Sequence, residues 1–305
     1  MAIDVIFQIM IKLFLILILG FVLNRAGILD EGTNKKLSEL IVKVTSPLLI
    51  LSSVLQSPTE GRLGVLAILG AGFVLYLGFI LLGKIVSRLP VFPKEDRGIY
   101  ECMCVFSNNS FMGFPVIEAI LGTQAIFFSA MINFSFNIFI FTYAVSIFSK
   151  DAGDEPVWKK ILSPGLILTV VALLVYLSGF RTSGFVYDTV YMVGGVTSPL
   201  SMLVLGASLG TYRLKESMLD FRSYVFAAVR LILIPMAVFG ACRLFKVNDY
   251  YTCIAVVTSG MPVASMVMMI CNMYGGNSKT VVKNIIVSTL LSVVTIPILV
   301  LVLFG

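Results

Sequence analysis

The 305-residue chain is 58% hydrophobic and 12% charged, with a mean hydropathy of +1.02, a balance that excludes an ordinary soluble domain and points to a polytopic membrane protein. It contains no histidine, which excludes a histidine general base and a histidine-containing zinc site, and all its cysteines lie in apolar stretches where neither disulfides nor a metal centre are expected. Its net charge of +6 is read as a topology signal in the loops, not as affinity for nucleic acid.

At about 20 apolar residues per crossing, the expected fold is an all-α bundle of ten transmembrane helices. The first span, 3–23, lacks a basic leader and carries Lys12, so it reads as a membrane helix and not a signal peptide. Span 2, 34–56, holds Lys43 near its centre, four residues before Pro47 and four after Glu39, with Ser46 beside the proline. Span 3 covers 63–88. Span 4, 97–121, is interrupted by NNSFMGFPV at Asn108–Val116, and span 5 covers 124–148. After a polar connection come spans at 160–179, 185–210 and 220–244, the last with Arg230 midway along it. Span 9, 250–274, is interrupted by TSGMPV at Thr258–Val263, and span 10 covers 280–304. With the N-terminus outside, the inner loops carry 15 Lys and Arg against four in the outer ones, so both termini are expected outside.

Two motifs recur in register. Val-Thr-Ser-Pro-Leu stands at Val44–Leu48 and Val196–Leu200, and Gly-x-Pro-Val at Gly113–Val116 and Gly260–Val263. The copies lie 152 and 147 residues apart, five spans in each case. The chain therefore reads as two five-helix units, 1–149 and 160–305, joined by a cytoplasmic linker at 150–159. An odd number of spans inverts the second unit, as in secondary transporters.

Both interrupted spans break near the membrane centre. Freed backbone groups are tolerated there only if they are buried in protein or line a wet cavity. The two breaks are expected to cross, offering half-helix ends with free N–H groups to an anion. The candidate substrate-binding residues are Asn108, Asn109, Ser110, Gly113 and Pro115 of the first break, and Thr258, Ser259, Gly260, Pro262 and Ser265 of the second. Lys43, Ser46 and Arg230 complete the set, the two cations because charge at depth is functional by default. Lys43 also has a local explanation, an i,i+4 pair with Glu39. Glu101 and Glu118 lie in span 4 but away from the break.

This deep cationic bias favours an anionic substrate. A cation/proton antiporter of crossed-helix plan would place an acid between Ser107 and Pro115 or between Thr258 and Ser265, and none is there. A non-transporting sensor or lipid-binding receptor is the other rival. No ATP-binding fingerprint appears, so energy would come from a proton or sodium gradient, with no cofactor.

Asn-x-x-Phe-Met-Gly-Phe-Pro at Asn108–Pro115 departs from a simple kink and, with Met261–Ala264, Tyr274–Asn277 and Ser288–Pro297, resembles the auxin efflux carrier family, which includes plant PIN-type carriers and bacterial malate or malonate permeases. The resemblance implies helices 4 and 9 crossing at Pro115 and Pro262. It implies a scaffold of helices 1, 2, 6 and 7 that forms a homodimer, and an elevator-like transport domain of the rest. Asn108 matches the asparagine that contacts the substrate carboxylate in plant members. The central loop is short, unlike that of many plant carriers, which implies a bacterial inner-membrane protein, surrounded by lipid, moving a small organic anion.

Overall fold

A computed structural model describes residues 3–55, 62–148, 164–211, 218–273 and 277–304. Among these the chain is helical, with one isolated β-bridge and no longer strand. The linker at 150–159 and Tyr274, Gly275 and Gly276 lie outside the described residues.

Helix α1 is Ile3–Arg25. Helices α2 (Glu31–Leu40) and α3 (Ser46–Leu55) form one rod through a wide π-turn at Ile41–Thr45. Helix α4 is Arg62–Val86, and α5 (Arg97–Val105) leads into the first break and α6 (Phe114–Leu121). Helices α7 (Gln124–Phe139) and α8 (Val145–Phe148) follow, then α9 (Pro164–Ser178), α10 (Phe185–Gly195) and α11 (Thr197–Gly210). Next come α12 (Phe221–Ala228) and α13 (Ile234–Leu244). Helices α14 (Asp249–Ser259) and α15 (Ser265–Met273) flank the second break, and α16 is Ser278–Phe304. Six helical runs among the described residues are long and apolar enough to cross a membrane: Glu31–Leu55, Leu66–Val86, Gln124–Phe148, Phe185–Gly210, Phe221–Leu244 and Ser278–Phe304.

Three π-turns stand just before a proline: Ile41–Thr45 before Pro47, Asn109–Gly113 before Pro115, and Val229–Leu233 before Pro235. A proline has no N–H for the carbonyl four residues back, and its ring clashes with that carbonyl. Widening the preceding turn re-aims the carbonyl, so the helix continues through the proline instead of ending.

Helix α1 meets α11 backbone to backbone. A Cβ at Gly206 would sit 1.9 Å from the Leu17 carbonyl oxygen, and one at Gly20 would sit 2.1 Å from that of Leu203. Small residues permit this approach, and in lipid, where helices gain little from hiding apolar surface, such close packing is what holds them together. Helices α9 and α10 pack on α3, and Asn34 Nδ2 donates to Ser208 Oγ at 2.9 Å between α2 and α11. On the other side, α4 packs against α5 and α7 around Tyr76, whose ring is surrounded by Phe79, Phe106, Phe136 and Phe139.

Candidate functional site

The two breaks meet as a β-bridge. Phe106 to Asn108 leave the helical conformation after α5, and Met261 to Ala264 do so after α14. Ser107 faces Val263 in antiparallel register; Asn108 N donates to the Pro262 carbonyl at 2.8 Å, and Ala264 N to that of Phe106 at 3.0 Å. Val263 N turns to Ser288 Oγ of α16, 3.3 Å away. Pro262 has only an acceptor to offer, and the bridge uses it. Two interrupted spans thus satisfy each other's backbone at a depth where nothing else would.

The bridge narrows the set of backbone donors open to a ligand. The N–H groups of Asn108, Val263 and Ala264 are bonded within the protein, and Met112 N and Gly113 N go to the Asn108 carbonyl at 3.3 and 3.0 Å. The N–H groups of Ser110, Phe111, Ser265 and Met266, which open the half-helices after the breaks, take no part in the bridge, and with the side chains they remain for a ligand.

Asn109 is 2% exposed and spent: its Nδ2 donates to Tyr76 Oη and its Oδ1 accepts from Ser107 Oγ, each at 3.0 Å. Asn108, 4% exposed, has an Nδ2 with no partner among the described residues. Ser110 accepts from Asn133 Nδ2 at 3.4 Å. Thr258 is buried, and its Oγ1 has no partner among the described residues. Ser259 Oγ folds back to the Val256 carbonyl at 2.9 Å, and Gly260 N bonds the same carbonyl at 2.8 Å, closing α14. Gly113 and Pro115 are buried, Pro115 opening α6, and Ser265 opens α15 half-buried.

Arg230 is the charge at this place. It is fully buried, donates from Nη1 to the Ser259 carbonyl at 2.8 Å, and lies near enough to Tyr76 and Cys104 to interact with them electrostatically. Its Nε and Nη2 have no partner among the described residues. In this aromatic surround the effective dielectric is low, so any anion reaching those N–H groups interacts strongly. The Ser259 carbonyl is at the C-terminal end of α14, where the helix dipole is negative, and this accounts for the guanidinium settling there.

The structure does not bring every candidate to the crossing. Lys43 is 57% exposed and bonds Glu39 at 3.1 Å, the local pairing. Ser46 is buried in α3, and among the described residues its hydroxyl has no partner and no hydrogen bond ties either residue to the breaks. Two residues outside the candidate set bear on this region, one at the crossing and one beyond it. Tyr76 anchors Asn109, and nothing local marks it except a polar tip in an apolar span. Glu118 accepts from Ser198 Oγ at 2.6 Å and Thr123 Oγ1 at 3.5 Å, joining α6 to α11; an ionisable side chain within a span was the signal.

Residues 5–300 match the model of a family described as membrane transport protein. Similar proteins include an uncharacterized transporter of Methanocaldococcus jannaschii, 24% identical over 94% of this chain and 95% of that protein. Another is an uncharacterized transporter of Methanothermobacter thermautotrophicus, 21% identical with the same coverage of each chain. The chain is a multi-pass integral membrane protein belonging to the membrane transport protein family, the family of the auxin efflux carriers.

Proposed function

We propose that the protein is a secondary carrier of a small organic anion, a carboxylate such as malate, malonate or an auxin-like acid, working by elevator-type alternating access in a bacterial cytoplasmic membrane. The carrying observation is Arg230: a fully buried guanidinium at the crossing of two broken helices whose Nε and Nη2 have no partner among the described residues, near the Asn108 Nδ2 that also has none. Each buried donor left bare costs about 1–3 kcal/mol, and each hydrogen bond to a charged group contributes about 1.5–3 kcal/mol. A carboxylate arriving there relieves a deficit and adds bonds at once.

In this reading the chain has ten spans as two inverted repeats, with both termini outside. Spans 1, 2, 6 and 7 form a scaffold that pairs in a homodimer, and the crossing rides in the moving remainder. The close α1–α11 contact and the packing of α9 and α10 on α3 support a rigid scaffold. A cation carrier of crossed-helix plan would place an acid between Ser107 and Pro115 or between Thr258 and Ser265, and neither stretch has one.

The test is a melting screen of purified protein against small carboxylates, then flux in proteoliposomes. At least one carboxylate is expected to raise the melting temperature and to accumulate, and Asn108→Ala to reduce uptake. Stabilisation without flux would favour a receptor, and normal transport by Asn108→Ala would remove the site from the crossing.

A further inference from the structure

We infer that Glu118 is the proton-binding carboxylate of this carrier, and that its bond to Ser198 holds the conformation seen here until a proton releases it. The inference rests on the carrier reading above but on different atoms.

Glu118 stands on α6, one turn beyond Pro115, so it moves with the crossing as a rigid continuation of it. Its partner Ser198 belongs to the Val-Thr-Ser-Pro-Leu motif opening α11, which is locked against α1. The bond at 2.6 Å therefore joins the part proposed to move to the part proposed to stay. Two hydroxyls, Ser198 and Thr123, meet the carboxylate, and among the described residues no cation does. Helix α6 packs against α1, α7, α11, α14 and the Asn109–Gly113 turn. Helices α7 and α11 and that turn carry no titratable side chain. Helix α1 has Asp4, Lys12 and Arg25, and α14 has Asp249, Tyr250, Tyr251 and Cys253. Of these, Lys12 is exposed, Arg25 lies over the Phe21 ring and Asp249 pairs with Arg243.

The repeat shows why this bond belongs to one state only. The offset of 147 between the Gly-x-Pro-Val motifs maps Glu118 onto Ser265, and the offset of 152 between the Ser-Pro motifs maps Ser198 onto Ser46. Inverted repeats exchange conformations when a carrier turns over. In the exchanged state the second break would approach span 2, bringing neutral Ser265 toward Ser46, whose hydroxyl is buried here with no partner among the described residues. Glu118 must then leave Ser198. A carboxylate drawn along an apolar interface without its donors is prohibitively desolvated, whereas the neutral acid can travel. One proton taken from the aqueous phase on one side is carried on the Glu118 carboxyl and released on the other, and with a monoanion the pair crosses without net charge.

Two measurements separate this idea from the function it rests on. With malonate as probe in proteoliposomes, an inward proton gradient is expected to stimulate wild-type uptake about tenfold or more, the factor set by one hydrogen bond to a charged group. Glu118→Gln should lose that stimulation while still exchanging internal for external malonate, and Glu118→Asp should recover part of it. Gradient-stimulated uptake by Glu118→Gln, or wild-type uptake indifferent to the gradient, overturns the proposal. If no carboxylate moves through the wild type, the function reading fails instead, and the second measurement decides. Spin labels at Gln124→Cys and Met192→Cys, both exposed positions, should report a distance distribution that shifts on acidification in the otherwise wild-type protein and stays fixed in Glu118→Gln. A wild-type distribution unmoved by pH overturns the latch whatever the substrate.

Discussion

Replacing Arg230 by methionine separates what this residue does for the fold from what it does for a ligand. The guanidinium makes one hydrogen bond, to the Ser259 carbonyl at 2.8 Å, while Nε and Nη2 are buried with no partner among the described residues. Removing it relieves two unsatisfied donors, about 1–3 kcal/mol each, but forfeits one charged hydrogen bond of about 1.5–3 kcal/mol and strands one carbonyl for about 1–3 kcal/mol. The two sides nearly cancel, so Arg230→Met is expected within about 2 kcal/mol of wild type. Breaking a fully satisfied buried ion pair would instead cost about 3–5 kcal/mol. The ligand side behaves differently. A carboxylate at one hundred times its Kd stabilises the wild type by about 2.7 kcal/mol, roughly 4 °C for a chain of 305 residues, and should leave Arg230→Met unmoved. Melting curves in detergent, with and without malonate, read both numbers. A variant that loses more than about 4 kcal/mol in the ligand-free state, or that keeps the malonate shift, would refute the reasoning, because Arg230 would then be a satisfied structural residue.

Other consequences follow from single contacts. Tyr76→Phe strands the buried Nδ2 of Asn109, and melting should show a loss of about 1–3 kcal/mol. Gly206→Val drives a side chain into the Leu17 carbonyl and should destabilise by about 1–3 kcal/mol, while the malonate-induced shift in melting temperature keeps its size. Asp30 caps α2 by accepting from Thr33 N at 2.7 Å, and the Thr33 hydrogen bonds hold its carboxyl below the ordinary carboxylate range. A group lowered on folding stabilises above its unfolded value and loses that contribution as pH falls through the folded one. The protection factor of the Thr33 amide, its exchange rate relative to the intrinsic rate at the same pH, should therefore fall on acidification below that range, and less so in Asp30→Asn, which caps without titrating.

Much of the architecture was legible because lipid leaves few choices. Apolar runs had to be helices, and a Gly-x-Pro break had to be rescued by another buried segment. The rescuer was legible through the repeat, but the form of the rescue was not. The Ser107–Val263 bridge joins residues far apart in the chain, and nothing near Ser107 announces an extended conformation. The two mid-span cations are instructive. Lys43 has Glu39 one turn earlier and settles its charge on its own helix. Arg230 has Phe226 and Ile234 at the equivalent spacings, so it had to find its partner elsewhere, and it found a helix end. Glu118 stands away from the break along the sequence, and its role was not legible because its partner Ser198 arrives from another span.

The bridge also says what Pro262 is for. Its carbonyl is the acceptor for Asn108 N, so it works only while residue 262 stays out of the helix. An alanine there would restore an N–H whose natural acceptor is the Thr258 carbonyl, four residues back, and would let α14 wind onward. The 262 carbonyl would then turn along the helix axis and away from Asn108, dissolving the bridge and leaving Asn108 N and Phe106 O unpaired in the membrane. A glycine restores the same N–H but resists helix by about 1 kcal/mol relative to alanine, roughly fivefold in population. Pro262→Gly should therefore keep more transport than Pro262→Ala, the reverse of the order that simple flexibility would suggest. Initial uptake rates in proteoliposomes matched for protein content would show it. If the alanine variant is as active as the glycine variant, the proline does not act by forbidding helix, and the bridge is not what positions the site.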